Sequence, residues 1–94
     1  MNSKSENIGD LSKQIKALND EAYRSYKPIA EELCKGQASE ADVEFVLDRM
    51  LDFCGSNEIL AMFKKICKCY FELYPEMITF EINAYRERWD TEQD

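Results

Sequence analysis

The stretch Asn57–Tyr74, NEILAMFKKICKCYFELY, decides the fold. On a helix turning about 100° per residue, its apolar side chains wrap roughly 200° of the surface. They are Ile59, Leu60, Met62, Phe63, Ile66, Cys67, Cys69, Tyr70, Phe71, Leu73 and Tyr74. Only Glu58, Ala61, Lys64, Lys65, Lys68 and Glu72 are left for water. A helix this apolar sits centrally and touches two neighbours, so the rest of the chain must supply its cover. Ser56 or Asn57 opens it, and Tyr74–Pro75 breaks it, with Pro75 suited to the first position of a following helix.

Working outward, Ser39 followed by Asp42 approximates a capping box. It predicts a second helix that ends at Gly55 and carries Val43, Val46, Leu47, Met50, Leu51, Phe53 and Cys54 on one face. Downstream, Pro75 to Trp89 reads as a helix with Ile78, Ile82, Tyr85 and Trp89 as its core face. Upstream, Ile8, Leu11, Ile15, Leu18, Ala22, Tyr26, Ile29 and Leu33 recur with an average step near 3.5, the seam spacing of a coiled coil. That predicts a long first helix over 10–35, opened by Asp10 or Ser12, kinked or broken near Pro28 and closed by Gly36. Short links make sequential helices neighbours. The fold class is all-α: a small up-and-down bundle of three to four helices over residues 10–89, with a flexible lead-in at 1–9 and an acidic tail at 90–94.

Composition narrows the function classes. The chain has 94 residues, 45% of them hydrophobic and 33% charged, a globular balance that leaves a real core without metal or disulfides. Twelve Lys and Arg against nineteen Asp and Glu give −7. That charge opposes non-specific nucleic-acid binding, which runs on cationic neutralisation, and it disfavours anionic membrane surfaces. Met1 to Asp10 are polar, without the apolar core of a signal peptide. Histidine is absent, which removes Ser–His and Cys–His catalysis and the commonest metal ligand. The reading is no enzyme, no cofactor and no metal site.

Of the four cysteines, only Cys67 and Cys69 are close-spaced, and on a helix they point about 200° apart. Cys34, Cys54, Cys67 and Cys69 therefore read as free thiols, which places the chain in a reducing cytosol. Lys64, Lys65 and Lys68 form the only basic cluster, on a helix with too narrow a polar strip to read DNA. Glu44, Asp48 and Asp52 stand at i, i+4 and i+8 on the outer face of the second helix. They are either a solvated face or a docking strip for a basic partner.

Two apolar features do not fit the simplest core. Phe45 projects among Glu44, Asp48, Arg49 and Asp52, and Met77, Phe80 and Ala84 form a second patch on the last helix. The patch is either sandwiched within the bundle or an interface with another chain. The first helix raises the same question. A straight seam is longer than the other helices can cover, so a straight helix predicts a dimer with Leu11, Ile15 and Leu18 at the contact, and a bent one a monomer.

The segments LDRMLDFCG (Leu47–Gly55), YFELYP (Tyr70–Pro75) and AYRERWD (Ala84–Asp90), in that order, resemble a group of short all-helical proteins of Firmicutes genomes and mobile elements. That group carries no assigned activity; the resemblance implies a cytosolic bacterial protein. The expectation from the sequence is a non-enzymatic cytoplasmic interaction module that self-associates, with a homodimer as the first partner and neither nucleic acid nor membrane. The rivals are an acidic inhibitor from a mobile element that binds a basic host protein, and a DNA-binding regulator.

Overall fold

In the computed structural model the backbone is described for residues 3–89 and the side chains for residues 13–89. The described residues form four helices and no strand: α1 Ser3–Lys35, α2 Glu40–Met50, α3 Asn57–Tyr70 and α4 Pro75–Trp89, with a 3₁₀ turn at Leu51–Phe53 between α2 and α3. The caps follow the sequence. Ser39 Oγ accepts from the Asp42 N–H at 3.2 Å, and Ser56 Oγ accepts from the Ile59 N–H at 3.5 Å. α1 begins at Ser3, ahead of Asp10 and Ser12, so neither caps it. Of the expected lead-in and tail, residues 1, 2 and 90–94 lie outside the described residues.

α3 is central, packed against α1, α2 and α4. Ile59, Phe63, Ile66, Cys67 and Tyr70 are buried on it, against Val43, Leu47 and Met50 of α2 and Met77 and Ile78 of α4. Its apolar wrap is narrower than predicted. The helix ends at Tyr70, and Phe71 and Leu73 in the following turn are about half exposed. Tyr70 ties the α1–α2 link to the core. Its hydroxyl donates to the Leu33 carbonyl, lies 3.0 Å from the Gly36 carbonyl and accepts from the Ala38 N–H at 3.0 Å. Tyr74 stacks on it at 5.9 Å and donates to the Ala38 carbonyl at 2.8 Å.

Of the kink or break expected at Pro28, the break does not occur: α1 is helical without interruption across it. Pro28 and Arg24 are both exposed, so water can satisfy the Arg24 carbonyl that loses its N–H partner. On the opposite side Ala22, Tyr23, Tyr26, Ala30, Leu33 and Cys34 hold the helix on the core. This contact face follows the ordinary helical step of about 3.6 rather than 3.5, and it leaves Ile29 40% exposed.

The Cys34 and Cys69 side chains are joined as a disulfide, Cα atoms 5.7 Å apart, between α1 and α3. This corrects the reading of four free thiols. Local spacing considered only Cys67 with Cys69, whereas the pair forms across 35 residues of sequence once α1 lies along α3. Cys54 and Cys67 are free and buried, as the reading had them.

Candidate functional site

Three features could carry function: the projecting half of α1, a groove between α3 and α4, and a carboxylate cluster between α2 and α4.

The buried contacts of α1 start at Ala22. Every described residue from 13 to 21 is exposed except Asn19, which is half-buried. From Ser3 to Glu21 the helix extends about 28 Å at 1.5 Å per residue. The radius of gyration, 15.7 Å, exceeds the roughly 12 Å of a globular chain of this length, as a projecting helix requires. On this projection Ile15 is 52% and Leu18 57% exposed. Leu11, the third residue of the predicted contact, has its side chain outside the described residues. Lys16 pairs with Asp20 at 3.4 Å.

The predicted second patch of α4 divides. Met77 is buried in the core and is not an interface residue. Ala84 is half-buried, and Phe80 is exposed. Phe45 is exposed on α2, with the Arg49 guanidinium 5.2 Å from its ring centre, so a cation covers part of the ring. Between α3 and α4 runs a groove of about 660 Å³. Leu60, Phe63, Phe71, Ile78 and Ile82 contribute apolar surface, and Lys64, Lys68 and Arg86 contribute positive charge.

The predicted acidic strip is not a uniform solvated face. Asp52 pairs with Arg88 of α4 at 2.8 Å. Glu44 and Asp48 instead meet a third carboxylate, Glu81 of α4, and each of the three offers an oxygen within 4.8 Å of the others. Glu81 is 2% exposed, and its Oε1 is sealed from solvent without a hydrogen-bond partner. Burial first, then a hydrogen bond with Asp48 and repulsion from Asp48 and Glu44, push the Glu81 carboxyl up to about 8. On the α3 side the Cys67 thiol faces it; burial and the charge of Glu81 raise Cys67 to about 12. Burial, above all, likewise raises Cys54 to about 12. Both free thiols are therefore protonated at neutral pH and poor nucleophiles.

Glu81 was missed in the sequence although a signal existed. On the helical wheel it falls about 60° from Ile78, inside the arc from Met77 to Ile82. A glutamate there points at the core.

Comparison with protein-family models, curated proteins and solved structures found no match for this chain.

Proposed function

We propose that this protein is a non-enzymatic interaction module that self-associates through the projecting half of α1. The observation that carries the reading is the uncovered apolar pair Ile15 and Leu18 on a helix that runs unbroken past the bundle. The occupant is a second copy of the same segment. On the helical wheel Ile15 and Leu18 stand about 60° apart on one face, with the paired Lys16 and Asp20 away from it. Two copies crossing antiparallel about a two-fold axis bring Ile15 and Leu18 of one chain against the same pair of the other. The acidic-inhibitor reading gains no support, because Asp52 is already paired with Arg88, and Glu44 and Asp48 converge with Glu81 of α4 rather than forming a free strip.

No described helix is long and apolar enough to cross a membrane. The cytoplasmic compartment is part of the proposal, and the Cys34–Cys69 disulfide weighs against it. The assay is therefore run with and without reductant. Sedimentation equilibrium at tens of micromolar should return twice the 11.0 kDa of one chain. Ile15→Lys and Leu18→Lys should each return the monomer mass with helicity intact. A monomeric wild-type protein, or a dimer that survives both changes, would overturn the reading.

A further inference from the structure

We propose that Glu44, Asp48 and Glu81 form a binding site for a hard divalent cation that clamps α2 to α4. Glu44 and Asp48 stand one turn apart on α2, and Glu81 reaches them from α4, so the set exists only in the folded chain. Three carboxylates each offer an oxygen within 4.8 Å of the other two. Ligands of one Ca²⁺ ion, at about 2.3–2.6 Å from it, lie up to about 5 Å apart. Proximity of acids alone would say little, because exposed acidic groups gather without binding anything.

Glu81 supplies the second observation. It is 2% exposed, its Oε1 is buried with no hydrogen-bond partner, and the hydrogen bond its carboxyl shares with Asp48 is one between two acids of the cluster itself. A buried carboxylate oxygen without a donor is costly. Among the described residues the ion pairs are Lys16–Asp20 and Arg88–Asp52, so no Lys or Arg pairs with any of the three carboxylates. A cation would fill that role.

The donor set is all oxygen, which suits Ca²⁺, Mg²⁺ or Mn²⁺ and not a thiolate-seeking ion. Asp48 is exposed and Glu44 half-buried, so water can reach the outer face of the ion and complete its shell. The site is independent of the α1 projection, and its test does not depend on oligomeric state.

The full chain, stripped with chelator and exchanged into metal-free buffer, is melted against CaCl₂ or MgCl₂, with NaCl at matched ionic strength as reference. At least one divalent ion should raise the melting temperature saturably by several degrees, with a stoichiometry of one ion per chain by calorimetric titration. Glu81→Gln keeps the shape of the side chain but has no proton to release and cannot become a carboxylate ligand; it should weaken binding at least tenfold and abolish the shift. Glu44→Gln should weaken binding as well. Asp52→Asn, outside the cluster, should respond as wild type does. No saturable shift with either ion, or an equal shift in Glu81→Gln and wild type, would overturn the site. If Glu81→Gln does not fold, Glu44→Gln carries the same comparison.

Discussion

Glu81 makes stability depend on pH in a direction opposite to that of a salt-bridged carboxylate. Its carboxyl is raised from an ordinary 4.5 to about 8 in the folded chain, first by burial and then by Asp48 and Glu44 across from it on α2. From α3 the facing group is the Cys67 thiol, itself held neutral near 12. Below pH 4.5 the residue is protonated in both states, and the shift costs nothing. Between 4.5 and 8 the unfolded chain releases the proton while the folded chain keeps it, so stability falls as pH rises. Above 8 the full penalty is present. One pKa unit is worth about 1.4 kcal/mol, and linkage integrated from pH 5 to 7.5 gives a loss of about 3 kcal/mol. A domain of this size has about 5–14 kcal/mol in total, so the loss is a large share of it. Urea unfolding followed by circular dichroism at half-unit steps, in chelator-containing buffer, should show it directly. Glu81→Gln should flatten most of the slope and be more stable than wild type at pH 7.5. A wild-type profile level within about 0.5 kcal/mol, or a slope that survives the substitution, would refute the assignment of a protonated buried carboxyl.

Two further outcomes follow from the packing. The Cys34–Cys69 disulfide closes a loop across 35 residues, which removes about 4 kcal/mol of unfolded-state freedom on the chain-entropy account. Reductant, or Cys34→Ser, should lower the melting temperature markedly, and alkylation without reductant should leave that pair unlabelled; superimposable melts and four labelled thiols would contradict it. At Gly55 a Cβ would lie 3.1 and 3.2 Å from two atoms of the Trp89 ring, whose Nε1 donates to the Leu51 carbonyl at 2.9 Å. Gly55→Val should displace the ring, cost about 1–3 kcal/mol and red-shift the emission of the single tryptophan, whereas unchanged emission would show that the ring does not sit there.

The helices were legible because their signals are local. Ser39 and Ser56 bond the amides three residues on, Pro75 starts α4, and the period of Asn57–Tyr70 shows which helix is central. What the sequence hid depends on tertiary context. Pro28 reads as a kink or break because a proline costs a helix one bond, but the cost depends on whether water can reach the orphaned carbonyl, and here Pro28 and Arg24 are both exposed. Cys34 and Cys69 become neighbours only when α1 lies along α3, so no spacing rule reaches them. Glu81 is the instructive case. The apolar residues of α4 were divided into two patches, Ile78 with Ile82, Tyr85 and Trp89 on one side and Met77 with Phe80 and Ala84 on the other. The division left a gap at the angle of Glu81 because a carboxylate was taken as a boundary of the core. In the folded chain Met77, Ile78 and Glu81 are buried together on one arc, and Phe80 alone of the second patch is exposed. A charged residue flanked on the wheel by core positions on both sides is therefore better read as a buried group in need of a partner than as an edge. On α2 the polar groups within 4.8 Å of its carboxylate include two more carboxylates, which is why the same residue that interrupts the hydrophobic pattern is also the one that asks for a proton or a cation.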